Sequence, residues 1–219
     1  MAAKFDLVIF DLDGTLIDSR LDLANSANAA RAFMGMGPIP NETVYSYVGN
    51  GAPMLIRRVL GPGASEDDIA KALEFFIHYY HDHRLDFTVL YPGVRDSLNA
   101  LAAGGVKMAV LTNKPVRISH LIVDGLNVAH HFGSVYGGNS FPEKKPSPIG
   151  ILKLMEEFGT APKRTLMVGD SSVDIETARN AKVVACGVTY GFQPETLRAT
   201  PPDILLDEFD QLVPAVLGS

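Results

Sequence analysis

The chain has 219 residues, 47% of them apolar, with a formal net charge of −6 and a single cysteine, Cys186. The length suits one α/β domain with a sizeable insert or two small domains, the acidic balance disfavours a nucleic-acid partner, and one cysteine excludes an internal disulfide and fits a reducing cytoplasm. No apolar run is long enough to span a bilayer, and Met1-Ala2-Ala3-Lys4 leads into a strand with no apolar signal-peptide core, so the expectation is a cytoplasmic chain without a membrane partner.

The first pattern is the unbroken apolar run 7–10, which suits a strand covered on both faces of a parallel sheet. It runs directly into Asp11-Leu12-Asp13-Gly14-Thr15. From there to about residue 90 the pattern is helical, with no strand signal. A helix over 16–33 has Asp18 or Ser19 as its N-cap, and Gly35, Gly37, Pro38 and Pro40 end it. Asn41 caps a short helix to residue 47. Gly49-Asn50-Gly51 is a turn, and 52–60 is another helix. Ser65-Glu66-Asp67-Asp68 has the shape of a capping box and opens a helix to about residue 84.

Beyond Tyr91 strands and helices alternate. Helix 94–103 ends at Gly104-Gly105, and strand 106–111 ends in Thr112-Asn113. Helix 115–124 and a short strand 134–136 follow. Ser147-Pro148 starts a helix to 158, with serine as N-cap and proline in the first turn. Strand 165–168 ends in Gly169-Asp170, helix 173–181 follows, and strands 183–188 and 204–206 complete the series. Such alternation means βαβ units and a parallel sheet. Right-handed crossovers then put every strand's carboxyl end on one side, where open α/β sheets carry their chemistry. Asp11, Thr112 and Asp170 therefore converge from distant parts of the chain.

Asp11 and Asp13 are two apart, so on an extended chain both side chains leave one face. Two acids held together repel unless a cation lies between them. Mg2+ answers this, because it takes one or two carboxylates and fills its other positions with water and phosphate oxygens. Gly14 lets the chain leave the strand in a conformation a side chain would forbid, and Thr15 adds a hydroxyl and backbone N–H groups. Asp170 brings a third acid, and Asp174, one helical turn on, faces the same side. His78, His81 and His83 do not share a helix face, so they read as ordinary surface histidines.

Phe10-Asp11-Leu12-Asp13-Gly14-Thr15-Leu16 resembles the first motif of the haloacid-dehalogenase-like phosphatases. Thr112-Asn113, Lys145-Pro146 and Gly169-Asp170-Ser171-Ser172-Val173-Asp174 resemble the second, third and fourth, in the required order. The resemblance implies an α/β fold: a Rossmann-like three-layer core with a parallel sheet, formed by 1–15 and 91–219, with an inserted helical cap at 16–90. It implies a Mg2+-dependent phosphomonoesterase in which Asp11 is the nucleophile and Asp13 the general acid and base. Lys145 neutralises charge, and Gly14, Thr15, Thr112 and Asn113 hold phosphoryl oxygens. Mg2+ is held by Asp11, Asp13 and Asp170, with Ser171 and Asp174 in support; Asp174 either binds metal-bound water or orients a lysine. Asn50 and Arg57 are candidates for the far end of a small carboxylated substrate. Within the family the similarity is greatest to phosphoglycolate phosphatases, through Tyr47-Val48-Gly49-Asn50-Gly51-Ala52, Leu111-Thr112-Asn113-Lys114-Pro115 and Gly187-Val188-Thr189-Tyr190-Gly191. A sugar phosphatase, a pyrophosphatase, a β-phosphoglucomutase-like mutase and a non-enzymatic receiver-like phosphoacceptor remain as alternatives. The expected partner is a small phosphorylated metabolite, and the expected assembly a monomer or homodimer.

Overall fold

The computed structural model describes residues 3–218; Met1 and Ala2, which belong to the amino-terminal expectation above, and Ser219 lie outside them. The chain forms two compact units, 1–18 with 90–219, and 19–89.

The first unit is built on β1 (Leu7–Phe10), all four residues fully buried. Burial of each such side chain contributes about 1.5–3 kcal/mol. After β2 (Ile17–Asp18) the chain passes through the four helices of the second unit, α1 (Arg20–Phe33), α2 (Asn41–Tyr45), α3 (Ala52–Leu60) and α4 (Glu66–His83), and reaches β3 (Val89–Leu90). It continues through α5 (Val94–Ala103), β4 (Lys107–Leu111), α6 (Val116–Gly125), β5 (Ser134–Tyr136), α7 (Ile149–Phe158) and β6 (Thr165–Gly169). The last elements are α8 (Ser172–Ala181), β7 (Val184–Val188), β8 (Ile204–Leu206) and α9 (Leu212–Leu217).

Six strands form one sheet in the order β5-β4-β1-β6-β7-β8, and every pairing is parallel. β1 lies between β4 and β6, with Phe10 level with Val110 on one side and Val168 on the other. Side chains alternate across the sheet. Leu7 and Ile9 face a core made with Ile151 and Leu154 of α7 and Ile175, Ala178 and Ala181 of α8. Phe10 faces the opposite way, stacked on Phe209 at 5.9 Å and edge-on to Phe132 at 6.3 Å. Helices on both faces explain why the strand is apolar throughout.

In the second unit α1 buries Leu23, Ala24, Ala27 and Ala30, and α4 buries Ile69, Ala72, Phe76 and Tyr80. Both sets follow helical spacing, and the alanines let the two helices approach closely. Ser65 caps α4 as the sequence expects: its hydroxyl oxygen accepts from the Asp68 amide at 3.1 Å, and Asp68 Oδ2 accepts from the Ser65 amide at 3.4 Å. Asp22 is buried within this unit and accepts from the Phe87 and Thr88 amides and the Thr88 hydroxyl.

Several local expectations are corrected. The stretch 16–90 is not helical from end to end, because β2 and β3 form a two-stranded sheet. Strands of two residues carry no periodicity to read. The short helix after Pro40 ends at Tyr45 rather than residue 47, with Pro40 at its N-cap. Helix α7 starts at Ile149, with Pro148 rather than Ser147 at the N-cap position. The terminal helix α9 was not expected. No helix among the described residues is long and apolar enough to cross a membrane.

Candidate active site

The parallel register sets the geometry. Leu111 and Gly169 are each one residue beyond the partners of Phe10, so Asp11 leaves β1 level with them. Thr112 and Asp170 follow immediately on the two neighbouring strands. The Asp11 amide donates to the Val168 carbonyl at 2.9 Å, which anchors the strand end.

Carboxylate oxygens of Asp11, Asp170 and Asp174 lie within 4.8 Å of one another. Lys145 comes from the loop before α7 and is 5% exposed. Its Nζ is 2.9 Å from Asp11 Oδ1 and donates to Asp174 Oδ1 at 2.6 Å. The other Asp174 oxygen accepts from the Ser171 amide at 3.2 Å and the Ser171 hydroxyl at 2.7 Å, closing a capping box at the start of α8. Helix initiation and orientation of the lysine are thus one arrangement, and the Asp174 carboxylate is spent on Lys145 and Ser171.

Asp170 is 3% exposed. Its Oδ2 accepts from the Phe192 amide at 2.6 Å and the Gln193 amide at 3.3 Å, and its Oδ1 takes a longer contact from the Thr15 hydroxyl at 3.4 Å. Two glycines make room for it. A Cβ on Gly14, whose φ is +84°, would stand 2.4 Å from Asp170 Oδ2, and one on Gly191 would stand 2.1 Å from the Asp170 Cβ. Neither contact is possible, so both positions require glycine. The Tyr190 hydroxyl donates to the Thr15 carbonyl at 3.0 Å and steadies the same loop.

The electrostatics follow from burial and crowding. Burial, with the repulsion of Asp174 and Asp11, pushes the Asp170 carboxyl up to about 8 against the pull of the two amides. Burial also raises Asp11 to about 6, with Lys145 opposing. For Lys145, burial disfavours the ammonium, but Asp11 and Asp174 outweigh it and hold its pKa above the ordinary lysine value. One buried cation among three acids, two of them buried and Asp11 partly so, leaves the cluster short of positive charge. A hard divalent cation fits: the donors are carboxylate oxygens, and Asp11 Oδ1 is buried without an aligned hydrogen bond. Asp11 and Asp170 are the acids with oxygen atoms to offer.

The remaining expected residues fall into place differently. The sequence expectation puts Asp13 among the metal ligands. In the structure its two oxygens lie 2.8 and 3.0 Å from Lys114 Nζ, and the carboxylate oxygens that cluster are those of Asp11, Asp170 and Asp174. A lysine 101 residues away in sequence competes for that carboxylate, which spacing on one strand does not reveal. Thr112 is buried, with its amide on the Tyr136 carbonyl and its hydroxyl accepting from the Lys114 amide at 3.2 Å. Asn113 Nδ2 donates to the Lys145 carbonyl at 3.2 Å, so this side chain ties two strand-end loops together. In the helical unit Arg57 forms a two-pronged, exposed pair with Glu66, both contacts 2.6 Å. Asn50 occupies the turn before α3. The three histidines of the helical unit, His78, His81 and His83, are not part of any metal-type cluster among the described residues.

Sequence reasoning missed Lys114, Tyr190 and the Phe192 and Gln193 amides. A signal for Lys114 existed: it precedes Pro115 after a strand end, just as Lys145 precedes Pro146. The amides carry no side-chain signature at all.

Residues 8–188 match the family described as haloacid dehalogenase-like hydrolase. A phosphoglycolate phosphatase of Vibrio vulnificus strain YJ016 is 41% identical over 99% of this chain and 98% of its own length. One from Pseudomonas putida is 40% identical over 95% of this chain and 78% of its own. Among solved structures, that of a predicted phosphoglycolate phosphatase from Haemophilus somnus 129PT superposes with a TM-score of 0.92 at 34% identity, covering 97% of this chain and 98% of the other. The chain belongs to the haloacid dehalogenase-like hydrolase family, among its phosphatases.

Proposed function

We propose that the protein hydrolyses 2-phosphoglycolate to glycolate and phosphate, with Mg2+, through an aspartyl-phosphate on Asp11. The observation that carries the chemistry is the meeting of the Asp11, Asp170 and Asp174 carboxylates within 4.8 Å of one another at the carboxyl edge of one sheet, with Lys145 paired to Asp11 and Asp174. The substrate rests on the names of relatives similar over nearly the whole chain.

A phosphate monoester carries nearly two negative charges at neutral pH, and attack by a carboxylate needs that charge neutralised. Lys145, fixed by Asp174, stands beside Asp11 for this purpose. Asp11 attacks phosphorus, and Asp13 gives a proton to the departing oxygen. In the second step Asp13 takes a proton from the attacking water, a reversal of role by one residue. Asp11 and Asp170 would hold Mg2+, which would supply positive charge beside the phosphoryl group. Thr15, Thr112 and the loop amides around Gly14 offer donors to phosphoryl oxygens. The helical unit 19–89, inserted in the chain after β1 and β2, is proposed as the cap.

The test ranks kcat/KM for 2-phosphoglycolate, hexose phosphates, p-nitrophenyl phosphate and pyrophosphate, with Mg2+ and with EDTA. The expected result is a preference for 2-phosphoglycolate and loss of all turnover in EDTA. Faster turnover of pyrophosphate or a hexose phosphate overturns the substrate, and turnover indifferent to EDTA overturns the metal. A single stoichiometric phosphorylation without turnover overturns the hydrolase itself.

A further inference from the structure

In the proposed reaction Asp13 moves the proton, and the cation beside it has no assigned part. Lys114 lies in the loop after β4 and is 7% exposed. Its Nζ contacts both oxygens of Asp13, at 2.8 and 3.0 Å, where the lysine and aspartate side chains are only 5% and 14% exposed. Lysines are almost never buried unless paired, and breaking such a pair leaves an uncompensated charge. The contact is therefore a fixed part of the site rather than a passing surface pair.

Its consequence follows from where Asp13 stands. It is two residues from Asp11, so a cation gathered by Asp11 and Asp170 would attract the Asp13 carboxylate as well. Yet the oxygens that cluster belong to Asp11, Asp170 and Asp174. A carboxylate drawn onto the metal would lose the freedom to hand over a proton. We propose that Lys114 is a positioning residue that holds the Asp13 carboxylate off the cation cluster, in the orientation from which it serves the leaving group. This rests on the phosphatase reading above.

The steps balance without any further reactant. In the first, the bond between phosphorus and the leaving oxygen breaks, Asp11 bonds to phosphorus, and the proton on Asp13 passes to the leaving alkoxide. In the second, water attacks phosphorus, its proton returns to Asp13, and inorganic phosphate leaves Asp11. Before the first step Asp13 carries its proton on one oxygen and accepts from Lys114 through the other; between the steps it is ionised and both oxygens accept, while Lys114 keeps its own proton throughout.

Leaving-group dependence separates this role from others. A p-nitrophenolate departs without a proton, whereas the alkoxide of 2-phosphoglycolate needs one. The measurement is kcat/KM on both esters, which reports events up to departure of the leaving group. Since general acid catalysis contributes roughly 10²–10⁴-fold, Lys114→Met is expected to lower kcat/KM on 2-phosphoglycolate about 10²-fold and to leave p-nitrophenyl phosphate close to wild type. Lys114→Arg, which retains two donors, is expected to restore most of the lost ratio. Manganese binding to the resting protein, followed by titration calorimetry, is expected to tighten in Lys114→Met as Asp13 joins the ligands. Thermal melting establishes that the variant folds; should it not, Lys114→Gln carries the same comparison. Equal losses on both esters, or an unaltered ratio, overturn the assignment, as does unchanged manganese affinity. A wild-type protein inactive on both esters overturns the phosphatase reading instead, so the two failures are distinct.

Discussion

Asp22 in the helical unit and Asp170 in the sheet unit are 1% and 3% exposed, yet they are held by opposite means. Asp22 accepts from the Phe87 amide, the Thr88 amide and the Thr88 hydroxyl at 2.7–3.1 Å, all uncharged donors. Its burial is complete in itself and serves to fasten 87–88 to α1. Asp170 also receives two amides, but it shares its surroundings with two further acids. Depth of burial is the same, so depth says nothing about role. What distinguishes the two is whether neutral donors can satisfy the charge or whether the surroundings still lack a cation.

Four substitutions and a change of pH probe that contrast, and the largest effect falls on the nucleophile. Asp11→Asn is expected to reduce turnover of any phosphomonoester by at least about 10⁴-fold, because an amide cannot attack phosphorus. Its Tm should hold or rise in EDTA, since one of the repelling acids is gone; a variant that keeps wild-type rates removes Asp11 as nucleophile. Next is the loss of a buried carboxylate from each unit, read by urea denaturation. Asp174→Ala leaves the Lys145 ammonium short of a partner and should cost about 3–5 kcal/mol, together with most of the activity. Asp22→Ala leaves only neutral donors unpaired and should cost about 3 kcal/mol or less. A larger loss at Asp22 than at Asp174 would reverse the comparison.

A smaller effect is expected from pH. Asp170 is raised to about 8 and Asp11 to about 6 by burial, with neighbouring acids adding to both, while the unfolded chain titrates these groups near about 4. The folded state thus binds more protons across that window, so without metal its stability falls as pH rises from about 4 to about 8. Thermal melts in EDTA should give a lower Tm at pH 8 than at pH 5, and Mg2+ should restore more at pH 8, where it has fewer protons to displace. A Tm that climbs over this range in EDTA contradicts the charge shortage. Least of all should change on Arg57→Ala. The guanidinium is exposed and paired with Glu66, and exposed pairs contribute little. Tm and the KM for 2-phosphoglycolate should both stay near wild type, and a large rise in KM would return Arg57 to substrate recognition.

The chain's pattern alone determined the alternation of strands and helices, the parallel sheet, the helical insertion, and the strand ends at which Asp11, Thr112 and Asp170 stand. Those properties depend on local periodicity and on the handedness of crossovers, both of which are written in short windows of sequence. Tertiary structure alone decided which charge meets which. It assigned Asp174 to Lys145, gave Asp13 to Lys114, and brought the Phe192 and Gln193 amides to Asp170. Two-residue strands such as β2 and β3 are likewise too short to leave a period. Partners separated by tens to more than a hundred residues are chosen by register, rotamer and burial together, and a buried charge pairs with whatever the packing brings within about 3 Å.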